Sequence, residues 1–86
     1  MRIDKYLKVS RILKRREVGK ELALNDRLYI NEKLAKPSSE VNVGDIVRII
    51  FGNREISIEV LEIKTTASKA EAFGMYRIVG ENKDRT

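Results

Sequence analysis

The sequence has no cysteine, no histidine and no tryptophan, and a single proline among its 86 residues. Without cysteine there is no disulfide framework and no thiolate zinc site. Without cysteine or histidine, thiol and imidazole catalysis are excluded by composition. The five glycines (Gly19, Gly44, Gly52, Gly74, Gly80) are dispersed, so no glycine-rich loop is built to cradle a phosphate. A metal would have to be held by oxygen ligands alone, and no EF-hand spacing is present. The acidic residues are scattered, and Glu59 and Glu62 read as solubilising charges on a strand. No apolar run approaches the roughly 20 residues of a membrane span. The opening MRIDKYLKVSR lacks the apolar stretch of a signal peptide. The expectation is a cytoplasmic binding protein that is not an enzyme, with no catalytic residue, cofactor or metal and no membrane partner.

What is present is positive charge, unevenly placed. The chain has 18 Lys and Arg against 13 Asp and Glu, a net charge of +5. Residues 1–20 hold eight of the basic residues against only Asp4 and Glu17, a local net of +6, and the rest of the chain is close to neutral. Such a concentrated excess attracts a polyanion, and nucleic acid fits better than a membrane surface because the short helices lack a broad apolar face. With 42 % hydrophobic residues, the chain carries enough apolar content for one folded core.

Periodicity divides the chain in two. Ile3 and Leu7 are four apart and predict a helix over residues 2–9, with Lys5 and Lys8 pointing away from its apolar side. Residues 10–14 read as a connector anchored by Ile12 and Leu13. A second helix is expected over residues 15–25, with Val18 and Leu22 inward and Arg16 and Lys20 forming an outward basic row. Gly19 costs that helix about 1 kcal/mol relative to alanine, which suggests a close backbone neighbour. Beyond residue 26 the period becomes two. Strands are expected at Leu28–Ile30, at a short return over 34–36, at Ile46–Phe51, at Ile56–Ile63 and at Met75–Val79. Gly52-Asn53 is the hairpin signal between the third and fourth. A phase slip at Val60-Leu61 suggests a β-bulge. Residues 64–74 read as a loop with about one helical turn. The fold class is α+β: two N-terminal helices packed on a small, mostly antiparallel sheet, in a single domain over residues 1–80 with a polar tail over 81–86.

The order Arg2-Ile3-Asp4-Lys5-Tyr6-Leu7, Arg16, Leu22, Leu28-Tyr29-Ile30-Asn31, Ala35-Lys36, Val43-Gly44-Asp45 resembles the RNA-binding domain family named after ribosomal protein S-four. The resemblance covers residues 2–47 as a motif core, with 48–80 as a strand extension. Lys14-Arg15-Arg16 and the overall length are similar to a stand-alone branch that serves ribosome-associated quality control. More distantly, the chain is similar to the small heat-shock branch of the family.

The resemblance implies a basic face for structured RNA. It implies binding to stalled large ribosomal subunits through 23S rRNA and the P-site peptidyl-tRNA. It also implies work beside an RqcH-type factor that tails the nascent chain with alanine, and a monomer off the ribosome. The residues assigned to RNA are Arg2, Lys5, Lys8, Arg11, Lys14, Arg15, Arg16, Lys20 and Lys36. Arg2 and Arg16 lead, because a guanidinium grips phosphate bidentately and stacks on bases. Asp4 has two readings: pairing with Lys8 or capping the helix start, or orienting Arg2 or Arg16. Tyr6 is expected in the core, and Tyr29 is open between core and base stacking. Asp26 and Glu32 stand where the family favours glycine, so a different turn type is expected there. Competing readings are a heat-shock-type factor that binds free subunits carrying stalled tRNA without tailing and, behind it, a DNA-binding regulator. The second helix has no Gln and little to read base edges with, which counts against the regulator.

Overall fold

The computed structural model describes residues 1–82. Its elements are α1 (Ile3–Val9), α2 (Arg16–Leu24), β1 (Leu28–Ile30), β2 (Lys33–Leu34), β3 (Ile46–Phe51), β4 (Arg54–Val60), α3 (Lys69–Phe73) and β5 (Tyr76–Asn82). The strands form one antiparallel sheet in the order β2-β1-β3-β4-β5. The fold is α+β, as the sequence predicts, with α3 as a third helix.

Strand alternation sets which face meets the helices. Leu28 pairs with Ile49, and Val47 with Ile58, so these side chains share one side of the pleat. They are fully buried, together with Ile3, Tyr6 and Leu7 from α1 and Val60 and Met75 from the far end of the sheet. The Tyr6 hydroxyl donates to the Met75 carbonyl at 2.8 Å, so Tyr6 is core. On the opposite side of the sheet, the Arg48 guanidinium lies 4.1 Å from the Tyr29 ring centroid and is paired with Glu55 at 2.7 Å. Tyr29 is therefore occupied by a structural contact.

Several expectations are corrected. On the inward side of α2, Leu22 packs against the core with Ala23 buried beside it, but Val18 is 37 % exposed and the buried Gly19 takes its place. Small residues are needed there because the helices nearly touch: a Cβ on Gly19 would lie 3.4 Å from the Asp4 Cα. Strand β4 ends at Val60, and the register shift falls elsewhere. Ser57 pairs with Gly80 but Ile58 with Ile78, which leaves Val79 as the extra residue on the edge strand β5. The Val60-Leu61 phase slip is the strand's end. Strand β5 continues to Asn82, past the expected stop at Val79 and into the expected tail; residues 83–86 of that tail lie outside the described residues. The β1–β2 turn keeps its ordinary geometry, since Asn31 (φ 51°) and Glu32 (φ 67°) both take the positive φ of a type I′ turn. Asp26 does likewise at φ 58°.

Candidate nucleic-acid interface

The site is built outward from Asp4. The start of α1 is pinned rather than frayed. The Ile3 N–H donates to the Ser39 carbonyl at 2.8 Å, the Val41 N–H to the Met1 carbonyl at 3.0 Å, and Arg2 bridges Glu40. This tether presses Asp4 against Gly19 of α2 and buries it completely. A buried carboxylate is costly unless its oxygens are paired, and here both are. Oδ1 accepts the Lys5 N–H at 2.8 Å and Arg16 Nη2 at 3.3 Å. Oδ2 accepts Arg2 Nη2 at 3.2 Å and faces Arg16 Nε at 3.2 Å. That Nε–H is not aligned on the oxygen, so the last contact is coulombic. Burial raises the Asp4 pKa, but the Arg16 hydrogen bond and charge, the Lys5 N–H and the Arg2 charge outweigh it and hold the carboxyl below its ordinary value of 3.8.

Asp4 bonds Arg2 and Arg16, not Lys8, and also accepts the Lys5 N–H in the first turn of α1. The two arginine side chains remain 46 % and 39 % exposed. Each guanidinium is held to the buried carboxylate through one side and is otherwise partly exposed. Neither arginine needs to be ordered again when an anion arrives, which lowers the entropic cost of binding.

The other assigned residues fall into two groups. Lys36 belongs to the first. It sits in the turn whose Ser39 Oγ accepts the Lys36 N–H at 2.8 Å, and that turn's Pro37 and Ser39 carbonyls receive the Asp4 and Ile3 N–H groups. Lys36 is thus placed beside the start of α1 with Arg2. Arg15 is the N-cap residue of α2 and makes no side-chain cap, and Lys20 continues the Arg16 row one turn on. Lys5 is half-buried on α1, and Lys8 is exposed. The second group turns toward the C-terminal half. Lys8 and Arg11 border a cavity with Thr65, Thr66 and Ala67, and Arg11 Nη2 donates to the Ala67 carbonyl at 3.3 Å. Arg11 and Lys14 border another with Lys69, Phe73 and Tyr76. Sequence reading missed Lys69 and Phe73 because the basic excess ends at Lys20. The available signal was the Ser68-x-x-Glu71 capping box that starts α3.

Among the described residues, no cluster of three acidic side chains could hold a metal ion, and no helix is long and apolar enough to cross a membrane.

Comparison with known proteins agrees with this geometry. The S4 domain model matches residues 1–47, which contain Arg2, Asp4, Arg16 and Lys36. The RQC P-site tRNA stabilizing factor of Streptococcus pneumoniae is 51 % identical over 83 residues, covering 96 % of this chain and 94 % of that protein. Its Bacillus subtilis counterpart is 47 % identical over 83 residues and 96 % of each chain. Among solved structures, the trimeric Heat Shock Protein 15 of Vibrio cholerae superposes with a TM-score of 0.84 at 28 % identity, over 92 % of this chain and 81 % of that one. A fixed arginine pair on the matched N-terminal half and near full-length similarity lead to one conclusion: the chain belongs to the S4 domain family, in the branch of the RQC P-site tRNA stabilizing factors.

Proposed function

We propose that this protein is a non-catalytic RNA-binding factor of ribosome-associated quality control, which steadies P-site tRNA on large subunits that retain a stalled nascent chain. The observation that carries the reading is a buried carboxylate, Asp4, holding Arg2 and Arg16 half-exposed. The names of the relatives at 47–51 % identity point the same way. In this reading Arg2 and Arg16 grip RNA phosphates in fixed geometry. Lys5, Lys8, Arg11, Lys14, Arg15, Lys20 and Lys36 supply further phosphate contacts and the attracting field. The RNA is 23S rRNA together with the tRNA, and an RqcH-type factor performs alanine tailing beside it. The protein holds; it makes and breaks no bond.

Pelleting with purified large subunits tests this. Binding is expected to be stronger when the subunit carries peptidyl-tRNA, and Arg16→Ala should abolish most of it. Indifference to the tRNA would overturn the reading. The similarity to Heat Shock Protein 15 favours a second one, rescue of free large subunits carrying stalled tRNA without tailing. It predicts the same pelleting but no effect of the protein on alanine incorporation in a reconstituted tailing reaction. A preference for duplex DNA over rRNA in gel shifts at matched salt would reject both.

A further inference from the structure

Helix α3 has only five residues, too few to hold itself together in water. Three devices keep it. Ser68 Oγ accepts the Glu71 N–H at 3.2 Å, Glu71 Oε1 accepts the Ser68 N–H at 3.0 Å, and Lys64 Nζ reaches Glu71 at 3.3 Å. Ala72 is buried beneath. Lys69 and Phe73, four apart, share one side of the helix, and Phe73 is 67 % exposed, so the core does not use it. Across from them runs the α1–α2 connector, with Arg11 and Lys14, and Tyr76 lies half-buried between. Together they border a groove of about 340 Å³. Among the described residues, no acidic side chain lines it, and Lys14 and Lys69 make no ion pair. Arg11 borders this groove from a left-handed backbone, φ 62°, a conformation that an arginine takes at a cost, with its Nη2 on the Ala67 carbonyl.

We propose that this groove is a stacking site for an unpaired nucleotide of the bound RNA, with Phe73 as the platform and Lys14, Lys69 and Arg11 on the flanking phosphates. The inference rests on the RNA-binding reading above and extends it to a second surface. The occupant follows from charge and shape. Three cations border an aromatic side chain that is 67 % exposed, which matches a base attached to a phosphate chain. The groove is also continuous, through Arg11 and Lys14, with the basic first quarter of the chain. An acidic peptide would satisfy the cations but leave the ring without a stacking partner.

The test uses two RNA hairpins with the same stem, one blunt and one with a three-nucleotide single-stranded overhang, in fluorescence anisotropy with the full chain. The overhang is expected to tighten binding by on the order of tenfold. Phe73→Ala should erase that preference while binding the blunt hairpin as wild type does, and Phe73→Trp should keep it. Arg16→Ala should weaken both hairpins alike, so its failure would count against the RNA face and not against the groove. Equal binding of the two hairpins by wild type, or an overhang preference surviving in Phe73→Ala, would overturn the proposal. So would a decaglutamate peptide whose binding depends on Phe73 as strongly as the overhang's does.

Discussion

The helical and sheet halves both carry many cations, but they treat them differently. In the sheet half, four of the eight arginines and lysines among the described residues are spent on neighbouring acids. Arg48 meets Glu55 and Glu32, Arg54 meets Glu81, Arg77 meets Glu59, and Lys64 meets Glu62 and Glu71. In the helical half, Lys5, Lys8, Lys14, Arg15 and Lys20 make no ion pair among the described residues, and the one carboxylate that is paired serves to aim two arginines. Net charge therefore understates the contrast. Four of the sheet-half cations are already neutralised, whereas most of those on the helices have no acidic partner and remain available to a polyanion. Arg27, Lys33, Lys36 and Lys69 are the sheet-half exceptions among the described residues, and Arg27 donates instead to the Gly52 carbonyl at 3.4 Å. Two of these, Lys36 and Lys69, lie beside helical cations.

The sharpest way to break this comparison is to remove one arginine from each half. Arg16→Ala is expected to lower affinity for large subunits by on the order of tenfold to a hundredfold, the loss of a charge-assisted pair of hydrogen bonds. Arg77→Ala, which removes an exposed pair with Glu59, should leave binding unchanged and cost under about 1 kcal/mol of stability by denaturant titration. Equal losses of affinity would erase the distinction.

Next is the aiming carboxylate. Asp4→Asn should release both guanidiniums, weaken binding several-fold and cost about 1–3 kcal/mol of stability at neutral pH. Because the folded-state pKa lies below the ordinary 3.8, the native carboxylate contributes stability above that pH and loses it as pH falls through the lowered value. Wild type and variant should therefore converge in acid titrations below pH 3.8, and a constant difference throughout would contradict the assignment.

A smaller effect separates the two halves by salt. Lys20→Ala should flatten the log–log salt dependence of RNA binding by about 1, one phosphate contact, while Lys33→Ala leaves the slope unchanged. Smaller still, Arg11→Gly should relieve the left-handed backbone and stabilise the fold by up to about 1 kcal/mol in thermal melts, while RNA binding falls. On the sheet side, hydrogen bonds from Ser68 and the Lys64 ion pair hold Glu71 down to about 2. Its capping contribution should be present above pH 4.5 and fade as pH falls toward 2, read by hydrogen exchange of the α3 amides.

Local patterns were legible in the sequence; tertiary consequences were not. The 3.6-residue period placed α1 and α2 to within a residue or so, and Gly52-Asn53 marked its hairpin, where Gly52 takes φ 53°. The inward side of α2 was misread because apolarity favours Val18 over Gly19, whereas the tight approach of Asp4 demands the residue without a side chain. The role of Asp4 stayed open because its decisive partner is twelve residues away, across a helix–helix contact that spacing does not reveal. Strand β5 was cut short because Gly80, Glu81 and Asn82 have low strand propensity; pairing with Glu55, Ile56 and Ser57 overrides it. The groove at Phe73 depends on α3 folding back toward the connector, which no local pattern encodes.

The hydrogen bond from Tyr6 to the Met75 carbonyl spans 69 residues of chain and joins the first helix to the start of the last strand. Burial pushes the Tyr6 phenol well above its usual range, so the hydroxyl keeps its proton and remains a donor. During synthesis the carbonyl that anchors α1 is made 69 residues after the hydroxyl that it accepts from. A chain cut short before Met75 would bury that hydroxyl without an acceptor or fail to seat α1 at all. The helix that carries Asp4 is thus fully seated only once the chain has been made as far as Met75.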